Sequence, residues 1–370
     1  MNVVGRTART LQRILHTRYP GFLFGLPLSS SEIPIFNFHD VTRESLARDL
    51  AFLKRNGYRT LSLDEFLERG GRSSGRREVL LTFDDARASV YREGLPVLRE
   101  FGSRAVLFVP TFWMRADDGS MPRQGQALFM SWEEVKRCRE SGVFDVESHA
   151  HRHTLVHVAP HVVEFATPET IRRYDIYDWP MRRAGEAAEH GFPPLGTPVY
   201  RAMPLLSAQR CYVESDAATR ACQELVDSGG GERFFEQPDA LVQLRETHSA
   251  AFRHDQGHYL EPAALDALVQ SEFELSKQAF IGHLGYAPRC LAFPWRVGSV
   301  RALEHARRAG IVATFGCALD FRHDRNALPL PVYGRFRCDW LRLLPGEDRI
   351  SLAGVVAHKL AGITHQHLAH

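Results

Sequence analysis

The sequence predicts an α/β fold, either an open parallel sheet or a closed β/α barrel of about seven strands. Three observations predict it. From residue 33 onward, short apolar strands alternate with amphipathic helices, the succession that builds parallel sheets. Several helices carry recognisable start and stop residues. Polar clusters stand directly after the strands, at the edge where parallel β/α folds place their active sites. On this reading residues 1–32 are a lead-in, 33–345 form the barrel, and 346–370 are a C-terminal tail.

The first strand is "IPIFNF" (33–38), and in "ESLARDLAFLKRNG" Leu46, Leu50 and Leu53 recur at helical spacing. Gly57 suits a left-handed helix end. "YRTLSL" reads as a strand, and Ser62 with Glu65 has the spacing of a capping box opening a short helix. "EVLLTF" (78–83) is a strand, "VYREGLPVLREFG" a helix, and "RAVLFVP" a strand rich in β-branched and aromatic residues. "SWEEVKRCRESG" has a second box and ends at Gly142, before the strand "VFDVES". Regularity fails after His153. Residues 157–258 are rich in Pro, Gly and polar runs, which predicts an irregular insertion serving as a lid or substrate platform. The alternation resumes with a long helix over 261–285, the strand "RCLAF", the helix "SVRALEHARRAG" and the strand "IVATF".

Composition narrows the function. The chain has 370 residues, 44% hydrophobic and 24% charged, with a formal net charge of +2. That balance carries no basic excess and argues against a dedicated nucleic-acid binder. Six scattered cysteines without a CxxC fit reduced thiols in a cytosol. No apolar run approaches the roughly 18 residues of a membrane-spanning helix. Arg6, Arg9, Arg13 and Arg18 precede "GFLFGLPLSSS", but the apolar piece is short and Tyr19-Pro20 interrupts it. The expectation is an uncleaved basic lead-in and a cytoplasmic protein.

The chemistry gathers at strand ends. His39-Asp40 follows the first strand, Asp84-Asp85 the third, His149, His151 and His153 follow "VFDVES", and Pro294-Trp295-Arg296 follows "RCLAF". Each cluster alone has a plainer reading: a paired Asp caps a turn, and spaced histidines decorate a surface. Two adjacent carboxylates repel unless a cation holds them, however, and one Asp with two His is a three-ligand set that leaves a position open for water. His149 and His153 are four apart, so a helical turn would put both imidazoles on one face and turn His151 elsewhere, whereas an extended segment would align all three. With Asp85 on the metal, Asp84 is free to act as general base. Phe38, Phe83, Phe108 and Phe293 read as core.

"LTFDDA", "ESHAHRHTL" and "LAFPWRVGS", in that order, resemble the polysaccharide deacetylase (NodB-homology) family of carbohydrate esterases. The resemblance covers roughly residues 33–155 and 261–336. It implies a distorted (β/α) barrel, usually of seven strands, with the insertion between the second and third motifs. It also implies Asp84 as base, Asp85, His149 and His153 as ligands of one divalent ion, usually zinc, and a substrate-binding stretch at Phe293, Pro294, Trp295 and Arg296. Three positions depart from the family pattern: Ala86 and Arg296 stand where Gly is usual, and Ala150 replaces a Ser or Thr.

The family's Leu-x-His motif, which would supply a general acid, has only "LAH" at 368–370 and His358 as remote candidates. His39 is the favoured acid. It resembles an early histidine of rearranged family members, and an imidazole titrating near neutrality suits protonation of a poor leaving nitrogen. Asp40 would orient His39 or cap the next helix. In the insertion, Asp178, Trp179 and Tyr200 suit sugar contacts and ordinary packing equally. The expected activity is metal-dependent hydrolysis of the acetamide of an N-acetylated sugar, with carbohydrate as partner and neither nucleic acid nor stable membrane insertion. The rival expectations are C–N hydrolysis of a small non-sugar amide under a tight lid, and a non-catalytic carbohydrate-binding barrel.

Overall fold

A computed structural model of the chain describes residues 21–24, 26, 28, 32–117, 126–185, 188–317, 328–352 and 354–355. His358 and the 368–370 triplet lie outside the described residues, as does most of the lead-in. The strands are β1 (Ile35–Phe38), β2 (Arg59–Thr60), β3 (Glu78–Phe83), β4 (Ala105–Val109), β5 (Phe144–Ser148), β6 (Leu155–Phe165), β7 (Pro198–Pro204), β8 (Tyr212–Val213), β9 (His258–Tyr259), β10 (Cys290–Ala292), β11 (Ala313–Cys317) and β12 (Val332–Arg337). The helices are α1 (Arg43–Arg55), α2 (Leu63–Glu68), α3 (Leu95–Glu100), α4 (Trp132–Glu140), α5 (Pro168–Arg173), α6 (Asp216–Ser228), α7 (Ala240–Phe252), α8 (Pro262–Leu284) and α9 (Val300–Arg308).

Seven parallel strands close into a barrel in the order β1-β12-β11-β10-β5-β4-β3, and β3 pairs back onto β1. The two-residue β2 adds to the start of β3. The period of two sorts the side chains into two cores. Ile35, Leu80, Val106, Phe108, Ala292 and Phe315 fill the barrel interior. Phe36, Phe38, Leu81, Phe83 and Val146 point outward against Leu46, Leu50 and Leu53 of α1 and the neighbouring helices. Burying each such side chain contributes roughly 1.5–3 kcal/mol.

The helix ends follow the sequence closely. Ser62–Glu65 and Ser131–Glu134 form reciprocal capping boxes, and Gly57 and Gly285 take left-handed φ of 68° and 77°. Asp40 does not cap α1. Thr42 does, with Ser45 as its reciprocal partner, while Asp40 accepts from the Ser89 hydroxyl at 2.8 Å. The expected single helix over 90–102 opens instead with wide π turns at Val90–Gly94 before α3. Pro96 explains this, because its ring has no N–H and would clash with the carbonyl four residues earlier.

Two further expectations change. β12, "VYGRFR", belongs to the barrel and was not among the anticipated strands. The insertion is also more regular than its composition suggested. β6 and β7 form an antiparallel hairpin with register shifts, β8 pairs with β9, and α6 packs on α7 around Phe165, Cys222, Val226, Phe234 and Leu244. The glycine-rich run 228–231 is only the connection between α6 and the turns that lead to α7.

Candidate active site

The inward-facing register of each strand, continued past its end, delivers the site. Ile33 before β1 and Ile35 and Asn37 on it alternate inward, and His39 continues the series. Leu80 and Thr82 do the same on β3 and are followed by Asp84. At the C-terminal mouth a cavity of about 400 Å³ is lined by His39, Asp84, Asp85, His149, His153, Trp295 and Arg296, so four clusters distant in sequence meet. His39 is exposed at the rim and the two aspartates are buried.

Asp85 Oδ1 lies 3.4 Å from His149 Nε2 and 3.5 Å from His153 Nε2. His149 Nδ1 is 2.8 Å from the Ala292 carbonyl oxygen, which can only accept, so this nitrogen carries the hydrogen. In the neutral ring Nε2 is then a bare lone pair aimed at a carboxylate oxygen. Burial pushes the His153 imidazole down to about 3, so that ring is uncharged near neutrality. Asp85 Oδ1 is buried and has no hydrogen-bond partner among the described residues. The Asp85 oxygen and the His149 Nε2 lone pair are then two acceptors facing one another in a buried space, which repel unless a cation lies between them. The three side chains form the metal-competent cluster found among the described residues, with ligand atoms all within 4.8 Å of one another. Their donor set, two imidazoles and a carboxylate, fits a divalent ion such as zinc.

Left-handed backbone brings these groups together. Asp85, Ala86, Ala150, His153, Trp295 and Arg296 all have positive φ, between 47° and 69°. The His149–His153 segment is therefore a strained loop, not the helical turn considered above. His151 faces away, with Nδ1 2.8 Å from the Thr111 hydroxyl. Such strain persists only where surrounding contacts over-determine it.

Asp84 has a different partner. Arg335 of β12, wholly buried, grips it in a two-pronged pair at 2.6 and 2.8 Å and also reaches the Thr82 hydroxyl at 3.2 Å. Burial alone would raise the Asp84 carboxyl, but the guanidinium outweighs it and holds the group below the ordinary carboxylate range. Arg87 sits behind Asp85, its Nε 3.6 Å from Oδ2, and pairs with Asp175 at 2.8 Å. Tyr177 stacks on His153 with ring centroids 3.9 Å apart, and Trp295 packs on the same imidazole at 4.3 Å.

The substrate-facing expectation at 293–296 divides. Phe293 is fully buried, its ring against Gly298, where any Cβ would meet it at 2.4 Å. Pro294 is buried as well, and neither residue lines the cavity, because the backbone reverses only at Trp295. Trp295 and Arg296 do line it. In the insertion, Asp178 borders the cavity, whereas Trp179 and Tyr200 are buried, Tyr200 with its hydroxyl 2.8 Å from His248.

Residues 71–177 match the family model described as polysaccharide deacetylase. The matched stretch contains Asp84, Asp85, His149 and His153. Over this stretch the chain is similar to polysaccharide deacetylases. Over 119 residues it is 29% identical to the poly-beta-1,6-N-acetyl-D-glucosamine N-deacetylase of Escherichia coli K12 and equally to that of strain O157:H7. That alignment spans 30% of this chain and 18% of either relative, so the chain matches under a fifth of their length. The deacetylase domain of BpsB from Bordetella bronchiseptica superposes with a TM-score of 0.52 at 17% identity, covering 84% of this chain and 98% of that one. A de-N-acetylase from Aggregatibacter actinomycetemcomitans gives 0.50 at 14% identity, covering 83% and 95%. These likenesses show the barrel fold.

At this site, sequence reasoning missed Arg335, Arg87 and Tyr177. A signal existed for Arg335. "VYGRFR" alternates with period two, and an arginine on the inward face of a buried strand requires an acidic partner. Tyr177 lay in a stretch without periodicity, and nothing local marked it.

Proposed function

We propose that the chain is a metal-dependent N-deacetylase that hydrolyses the acetamide of an N-acetylated sugar to a free amine and acetate. The observation that carries this reading is the buried, unpartnered Asp85 oxygen facing two imidazole nitrogens beside an arginine-held Asp84. Asp85, His149 and His153 would hold the ion. When bound, a divalent cation there acidifies a water and polarises the acetamide carbonyl.

The remaining work falls to the chain's own groups. Asp84, kept ionised by Arg335, accepts the proton of the attacking water. Trp295 and Tyr177 offer apolar faces that orient a sugar ring and its acetyl methyl. His39, at the open side of the cavity, gives a proton to the leaving nitrogen, which departs as an amine.

The rim favours a sugar chain over a small enclosed amide. His39, Asp175, Asp178 and Arg337 are solvent-exposed around the mouth, and among the described residues the insertion contributes Asp175, Tyr177 and Asp178 to one wall. A binding-only barrel has no use for a base held ionised by a buried arginine. The test is acetate release from N-acetylglucosamine oligomers by metal-free and zinc-loaded protein. Release that requires the metal and is lost in Asp84→Asn is expected. Zinc-loaded protein that binds the oligomers without releasing acetate would refute the reading.

A further inference from the structure

The loop carrying both imidazoles makes a second set of contacts, from α8. Ala150 and His153 hold left-handed φ of 64° and 47° at non-glycine residues, conformations that cost free energy unless neighbours enforce them. Glu272, in the middle of α8, is 1% exposed. One of its oxygens accepts from the backbone amides of His151 at 3.1 Å and Arg152 at 2.8 Å, and the other accepts from the Arg152 guanidinium at 2.6 Å. One turn further along α8, the Ser276 hydroxyl lies 2.9 Å from that of Ser148, which accepts from the Ala150 amide at 3.0 Å. Residues four apart share one helix face, so α8 grips the loop at its start and its middle.

We infer that Glu272 is a positioning residue of the metal site. Its carboxylate fixes the His149–His153 loop so that the two Nε2 atoms stay at their observed distances from Asp85. Ala150 offers no hydroxyl of its own to the site, and the Ser148–Ser276 pair with Glu272 supplies the polar scaffold from a distant helix. A buried carboxylate with three hydrogen-bond donors is stable without a ligand, so Glu272 itself stays off the ion. It acts through the backbone of the residues between the ligands.

The inference rests on the metal reading and is tested apart from turnover. Zinc affinity is measured by competition with a chelator on metal-free, folded wild type, Glu272→Ala, Glu272→Gln and the remote buried-carboxylate variant Glu78→Gln. Thermal stability of the metal-free forms is followed in parallel. Glu272→Ala is expected to bind zinc roughly tenfold more weakly or worse, the scale of lost outer-shell support. Its cobalt-loaded form should show shifted absorption bands. Glu78→Gln should lose stability with zinc affinity and the cobalt spectrum unchanged. If Glu272→Ala does not fold, Glu272→Gln decides by the same two readouts. Unchanged affinity and spectrum in the folded Glu272 variant would overturn the inference alone. A wild type that binds no zinc would overturn it together with the metal reading.

Discussion

Buried carboxylates stand at both ends of β3, and their surroundings differ. At its start Glu78, 2% exposed, pairs with Arg59 at 2.8 Å and Arg69 at 2.7 Å and accepts from the Ser74 hydroxyl. At its end Asp84 is satisfied by Arg335, but Asp85 Oδ1 is left facing two imidazole nitrogens without a partner. One end of the strand answers every polar group from within the protein, as structural groups do. The other leaves several unanswered, Asp85 Oδ1, His153 Nδ1 and the Tyr177 hydroxyl among them, and has strained backbone at Asp85, Ala86, Ala150, His153, Trp295 and Arg296. Folding pressure explains the first end. The second has the donor set that could hold a divalent ion.

The comparison can be broken most sharply at Asp85. Asp85→Asn should abolish both metal binding and deacetylation while the protein stays folded, since the amide is nearly the same shape as the carboxylate it replaces. Retained activity in that variant would show that Asp85 is not a ligand. Asp84→Asn should keep the metal yet lower kcat by roughly 10²–10⁴, the usual contribution of a general base, as read by acetate release. Arg335→Met leaves Asp84 buried and unpaired. It should lower kcat and also destabilise the fold by about 3–5 kcal/mol in denaturant titration.

His39→Gln distinguishes the acid from the base. Its kcat should fall by roughly 10²-fold on an N-acetyl sugar but little on an aryl acetate ester, whose leaving group departs without a proton. Equal losses on both substrates would remove His39 from the acid role. The smallest effect belongs to the closed end. Glu78→Gln should cost about 1–3 kcal/mol of stability and leave zinc binding untouched.

The Glu78 clamp also has a pH signature. Burial opposes its ionisation, but bonds from Arg59, Ser74 and Arg69 outweigh this and bring the carboxyl down to about 2 from 4.5. A carboxyl lowered in the folded state stabilises the fold fully above its unfolded value. Stability should therefore be lost as pH falls from 4.5 towards 2, and Glu78→Gln should flatten that slope in urea titrations. An unchanged slope would contradict the assigned pairing.

Much of the barrel was legible because local signals and global architecture agree there. Ser62–Glu65, Ser131–Glu134, Gly57 and the alternating apolar strands each specify the element they occupy. The candidate site was legible where chemistry is unusual in sequence, as in Asp84-Asp85 and the spaced histidines. What escaped depends on contacts remote in sequence. Arg335 pairs with a residue 251 positions away, and only the closed barrel brings them together. The conformation of the histidine loop escaped too, because four-residue spacing suggests a helical turn and Ala150 gives no sign of positive φ. Phe293 was read both as core and as substrate-facing, and its placement against Gly298 decides for the core. The insertion misled in the other direction. Its Gly and Pro residues mark connections, while the helix α6 between them is amphipathic and packs Cys222 and Val226 inward.

The most direct test is the metal content of purified wild-type protein beside His149→Ala/His153→Ala, measured by elemental analysis after zinc loading and dialysis. One equivalent of zinc in the wild type and none in the folded double variant is the predicted result. No bound zinc in the wild type, or equal zinc in both, would contradict the assignment of Asp85, His149 and His153 as the site that holds the ion.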